Sequence, residues 1–200
     1  MKRLHVALLA AVGLVFVWSA IEPHDYFTWF MEVFPAIIGA AILFWTYRTF
    51  PLTDLAYTLI AIHMIILMVG GHYTYAEVPL FNWIRDNFHL ARNDYDRVGH
   101  FAQGFVPAII AREILLRRTP LLPGAWLNFL TVTICQAISA WYEFIEWWTA
   151  VAGGAKSDAF LGTQGDPWDT QWDMFTCLIG VTVALLTIRK LHDRQIRSIE

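Results

Sequence analysis

The chain has 200 residues, of which 57% are hydrophobic and only 16% charged, and its mean hydropathy is +0.47. Soluble domains carry about 25% charged residues, so this composition, with ten Trp and fourteen Phe, excludes a disordered chain and a collagen-like fibre and argues against an ordinary soluble enzyme. A formal net charge of -3 leaves no basic footprint for nucleic acid.

A helix that crosses a bilayer needs about 20 mostly apolar residues. Six segments are read as such spans: residues 4–21, 29–47, 55–71, 99–116, 125–149 and 174–191. The first, behind Met1-Lys2-Arg3, can also be read as a signal peptide with a loose cleavage site at Trp18-Ser19-Ala20. Val17 fits the minus-three position poorly, and five further apolar segments make an uncleaved span the more natural reading. The expected fold is all-α: a polytopic membrane protein, a six-helix transmembrane bundle, with residues 1–200 as one integral membrane domain. Short alternating segments that would signal a β-barrel are not seen.

Charge sorts the connections. Lys2, Arg3, Arg48, Arg112, Arg117, Arg118, Arg189, Lys190, Arg194 and Arg197 flank one side, ten of the fourteen Lys and Arg. The positive-inside rule places that side, with both termini, in the cytoplasm. Thirteen of the seventeen acids fall on the other side; the exceptions are Asp54, Glu113, Asp193 and Glu200. The two long outer loops, residues 72–98 and 150–173, are too aromatic and acidic to be idle linkers. The first is expected to carry a short amphipathic helix near residues 81–90, lying at the membrane surface. Trp141, Trp147, Trp148, Trp168 and Trp172 read as an aromatic belt. Cys135 and Cys177 lie in apolar runs and read as inert buried thiols, and His63 as a hydrogen-bonded interior histidine.

Three spans carry polar stripes at helical spacing. Asp96, His100, Gln103 and Pro107 share one face; so do Gln136, Ser139, Glu143 and Glu146, and so do Asp169, Asp173, Thr176 and Gly180. All the acids in these stripes fall at the outer ends. An ionised carboxylate inside a bilayer costs about 2.5–3.5 kcal/mol even on the lenient scale. Several at one depth repel one another unless protons, a cation or Arg97 balances them. The pattern points to a divalent-metal site with Asp96, His100, Glu143, Asp169, Asp173 and His72 as ligands. The mixture of carboxylate and imidazole suits Zn, Mn or Fe. Glu146 or Asp166 is the candidate general base.

The set Asp96-Arg97-x-x-His100-Phe101, Glu143-x-x-Glu146 on a later span, and Gly165-Asp166-Pro167-Trp168-Asp169-x-x-x-Asp173-Met174 resembles the YjdF type of bacterial inner-membrane protein, a family of unknown function. The likeness covers nearly the whole chain and implies the bacterial inner membrane as location. More distantly the pattern is similar to VanZ-like proteins, which have Asp-Lys-x-x-His-Phe on one span, a Glu on the next and paired Asp at the head of the last. VanZ itself is linked to teicoplanin resistance. This chain has Arg97 in place of the Lys. Three functions are weighed: a metal-dependent hydrolase acting on lipid or lipid-linked headgroups, a proton- or cation-coupled transporter or lipid carrier, and a non-catalytic envelope protein. Membrane lipids and a second copy in a homodimer are the expected partners.

Overall fold

The computed structural model describes residues 2–153, 160 and 163–199. Among these there is no strand, and the described residues include α1 (Arg3–Ser19), α2 (Tyr26–Thr46), α3 (Asp54–Tyr73), a short 3-10 helix (Tyr75–Glu77), α4 (Pro79–Phe88), α5 (Tyr95–Arg118), α6 (Ala125–Gly153), α7 (Asp169–Thr187) and α8 (Arg189–Arg197). Six long helices form the bundle, one on each of the six apolar segments. By length and composition α2, α3 and α7 are each able to cross a membrane, and α1 is a shorter apolar helix.

Helix α5 is the exception that explains the architecture. It carries Asp96, Arg97, His100, Gln103, Arg112 and Glu113, too many polar groups to face lipid. It therefore sits at the centre, packed against α3, α6 and α7, so its polar groups meet protein. The α5–α7 crossing is very close. Gly104 and Ala108 on α5, and Gly180 and Ala184 on α7, repeat small residues at four-residue spacing, which lets two backbones touch. A Cβ at Gly104 would lie 2.0 Å from the Cys177 carbonyl oxygen, and one at Gly180 2.2 Å from that of Phe101.

Large apolar side chains on the outer helices, such as Leu14, Ile42, Phe44, Phe129 and Leu186, are exposed, as a lipid-facing surface requires. Exposed Trp occur at both ends of the bundle: Trp83, Trp141, Trp147, Trp148, Trp168 and Trp172 at one, Trp45 and Trp126 at the other. The amphipathic helix expected near 81–90 is α4, with Leu80, Trp83 and Phe88 exposed. It stops at His89, in the left-handed conformation (φ 54°). Helix α6 runs four residues past the expected end of its span. Parts of the expected loop 150–173, including Lys156, lie outside the described residues.

The end that holds both termini is closed by a buried polar network. Glu113 is fully buried and accepts hydrogen bonds from the Thr53 amide (3.0 Å), the Thr53 hydroxyl (2.8 Å) and Arg117 (2.7 Å). His192 Nε2 lies 2.9 Å from its other oxygen. Buried Arg112 pairs with Asp193, and Gln195 accepts from the Leu55 amide at the start of α3 (2.9 Å). These contacts correct the expected last span. It does not continue to residue 191: α7 ends at Thr187, and α8 turns to lay His192 and Ile196 against the bundle. On the neighbouring edge His5 and Lys2 both reach Asp54, which ties α1 to α3.

Candidate functional site

The opposite end gathers the acids. Asp96 stands in the first turn of α5, His100 one turn deeper, and Asp173 one turn into α7. All three are buried, and one ligand atom from each lies within 4.8 Å of the other two. His100 Nε2 is 3.4 Å from Asp96 Oδ1 and 3.6 Å from Asp173 Oδ1. Its Nδ1 is 3.0 Å from Gln103 Oε1 and 3.9 Å from Glu143 Oε1. The Asp96–His100 pair follows from i,i+4 spacing on one helix. Asp173 arrives only because α5 and α7 touch at Gly104 and Gly180.

Arg97 joins the two helices from the other side. Its Nη2 donates to Asp169 Oδ1 at 2.6 Å, and its Nη1 pairs with Asp173. One guanidinium thus forks across two carboxylates a helical turn apart on α7. Arg92, in the loop before α5, also pairs with Asp169, and its Nη2 is 3.6 Å from Asp96 Oδ2. Asp166 Oδ2 lies 3.7 Å from Arg97 and 3.8 Å from Arg92, while its Oδ1 accepts the Trp168 amide at 2.9 Å. Arg92, Asp94, Arg97, Asp166, Trp172 and Thr176 line an open cleft of about 450 Å³ above the buried group. The segments around residues 93 and 164 are stitched together over it by reciprocal hydrogen bonds between the Asn93 backbone and the Gln164 amide, both 2.9 Å.

Carboxylates still outnumber guanidinium groups here. Asp94, Asp96, Asp166, Asp169 and Asp173 pair with Arg92 or Arg97, and Glu143 lies 3.9 Å from His100, so a cation would offset the excess of negative charge. The donor set, one imidazole with several carboxylate oxygens, suits a divalent transition metal. Glu143 Oε1 is buried and has no hydrogen-bond partner among the described residues. An orphaned buried acceptor is costly, and this one is turned toward His100. Glu146 sits one turn further along α6, half-buried.

Of the candidate ligands, Asp96, His100 and Asp173 form the tight group, with Glu143 beside it. Asp169 is held by the two arginines instead. His72 is not brought to this group. Its Nδ1 lies 3.2 Å from the Ser19 carbonyl, and its ring packs on Trp18 at 4.3 Å, because the end of α3 turns that side chain toward α1. Cys135 and Cys177 are buried free thiols.

Two participants were not anticipated. Glu32 on α2 is 1% exposed and accepts a hydrogen bond from the Tyr142 hydroxyl at 3.0 Å. A lone carboxylate inside the run Phe30-Met31-Glu32-Val33-Phe34 was the available signal, since acids in spans face interiors. Arg92 gave no signal, because a loop arginine acquires a role only through what the fold sets opposite it.

The family model described as "Predicted membrane protein (DUF2238)" matches residues 4–194. The chain is 50% identical over 184 residues to the inner membrane protein YjdF of Escherichia coli (strain K12), covering 92% of this chain and 88% of that protein. No solved structure matches.

Proposed function

We propose that this chain, which belongs to the DUF2238 family of membrane proteins, is a metal-dependent hydrolase of lipid or lipid-linked headgroups. Its site would open on the outer face of a bacterial inner membrane. The observation that carries the reading is the buried Asp96–His100–Asp173 group, drawn from two helices, beside a Glu143 oxygen that has no hydrogen-bond partner among the described residues. These residues, with Glu143, would hold Zn, Mn or Fe. The metal would supply a Lewis acid and an activated water. Glu146, as general base, would hold the proton released when water cleaves the headgroup linkage at phosphorus or the carbonyl carbon, and would return it to the leaving oxygen or nitrogen. Asp166, engaged at both oxygens, orients Arg92 and Arg97 in the outer cleft. The excess of Lys and Arg at the end that holds the termini supports a cytoplasmic position for both.

The test is elemental analysis of the purified protein, with a thermal scan under added Zn, Mn or Fe. The expected result is one metal per chain in the wild type and none in His100→Ala or Asp173→Ala. At metal equal to about 100 times Kd, ligation adds about 2.7 kcal/mol to the folded state. That corresponds to a midpoint rise of roughly 5–11 °C for a chain this size. A wild-type protein free of metal and indifferent to all three ions would overturn the reading.

A second reading, a proton- or cation-coupled carrier, is favoured by one feature. Gln136 Oε1 and Ser139 Oγ are buried without hydrogen-bond partners among the described residues and continue the Glu143 stripe toward the bundle centre. Ion flux in proteoliposomes that disappears in Glu143→Gln would select it.

A further inference from the structure

A second cavity, about 220 Å³, lies beneath the acidic group inside the bundle. Pro35, His63, Leu67, Gln103, Pro107 and Ile138 are among its lining residues, with Asp96 and His100 in its wall. The two prolines within helices of the bundle, Pro35 in α2 and Pro107 in α5, both line it. Proline removes a backbone donor and loosens its helix locally, which opens space where two regular helices would close it. The cavity lies between α2, α3, α5 and α6. Helix α2 packs along α3 and α6 along α5 and α7, but α2 and α6 do not pack along one another. The Glu32–Tyr142 hydrogen bond joins this pair near the site end. Ile138 lines the cavity and is also 43% exposed, which puts the cavity wall within one side chain of the bundle surface.

We propose that this cavity admits an acyl chain of a phosphate-bearing membrane lipid, whose headgroup reaches Asp96, His100 and the Arg92/Arg97 cleft. The inference rests on the proposed function and names the class and route of its substrate. Three observations converge. The cavity surface is mostly carbon, and its wall reaches the exposed Ile138. Asp96 and His100 belong both to its wall and to the metal-type group, so chain and headgroup chemistry are continuous. Arg97 pairs with Asp173 of that group and, with Arg92, also lines the outer cleft, and guanidinium groups suit a phosphate. The volume falls below the roughly 300–1,000 Å³ of pockets that enclose a whole drug-sized ligand. That fits one segment of chain, with the remainder of the lipid left in the bilayer.

The experiment uses the full chain in proteoliposomes doped with phosphatidylglycerol that carries a diazirine in mid-acyl chain. After irradiation, labelled positions are mapped by mass spectrometry, with and without chelator. Leu67, on the inner wall, is expected to label as strongly as the exposed Phe44 on α2. Ile138→Trp, which adds bulk at that wall, should lower Leu67 labelling at least fivefold and leave Phe44 unchanged. Labelling should survive metal removal. If metal analysis fails while Leu67 still labels, the hydrolase reading falls and the lipid site stands. Leu67 labelling near background, or unchanged in Ile138→Trp, would overturn the inference. So would rapid modification of an Ile138→Cys variant by a small charged thiol reagent without lipid labelling, which would mark a water-filled space.

Discussion

Gly104→Ala tests the link between helix packing and the site. The added Cβ would lie 2.0 Å from the Cys177 carbonyl oxygen, with the carbonyl carbon at 2.8 Å. A carbon–oxygen contact needs about 3.3 Å. The approach is therefore short by about 1.3 Å, and a backbone carbonyl inside a helix cannot swing away as a flexible side chain can. Helices α5 and α7 must part. Overpacking of this kind costs about 1–3 kcal/mol, a fall in apparent midpoint of roughly 2–12 °C for a chain this size. The larger consequence falls on the site. Asp96 and His100 ride on α5 and keep their 3.4 Å contact, while Asp173 on α7 moves off from its 3.6 Å. Metal sites tolerate about 0.2 Å, so the stabilisation by added metal should vanish even where the variant remains folded. Differential scanning fluorimetry in detergent, with and without metal, reads both effects. Gly13→Ala is the control: no atom lies within 4 Å of its added Cβ. It should leave stability unchanged or raise it by up to about 1 kcal/mol. A Gly104→Ala protein with wild-type midpoint and undiminished metal response would refute the argument.

Glu113→Leu strips the buried acceptor from Thr53, Arg117 and His192. Breaking such a buried pair costs about 3–5 kcal/mol, so the midpoint should drop by roughly 6–20 °C with the metal response of the survivors intact. Arg97→Ala leaves Asp169 and Asp173 short of their counter-charge; added divalent metal should then raise its midpoint more than that of the wild type. Asp25 caps α2 by accepting the Thr28 amide at 2.7 Å, and that hydrogen bond holds its carboxyl below the usual range. Asp25→Ala should cost about 1 kcal/mol at neutral pH. Because the folded-state pKa is depressed, the contribution is present above about pH 3.9 and is lost as pH falls through the lower folded value. The gap between variant and wild type should therefore close under strong acid.

Much of the bundle was legible because its signals are local. An apolar run long enough to span declares itself, and four-residue spacing fixes that Asp96 faces His100, or that Asp173 follows Asp169 one turn on. Even the belt of Trp follows from where apolar runs end. What stayed hidden depends on partners far apart in the chain. Glu113 and His192 are 79 residues apart, and nothing near either shows that the last helix folds back over the bundle. His72 has the chemistry of a ligand, yet its register on α3 turns it to Trp18. Arg92 and Glu32 matter only through Asp169 and Tyr142, which other helices deliver.

The sequence by itself therefore determined the all-α class, the helices able to span a bilayer and the end of the bundle where acid accumulates, because burial in lipid selects on composition over short windows. Only tertiary structure decided which acids meet an imidazole, which are neutralised by arginine, and where space remains between helices. Those outcomes depend on interhelical distances of a few ångströms, set at two glycines whose lack of a side chain lets α5 and α7 touch.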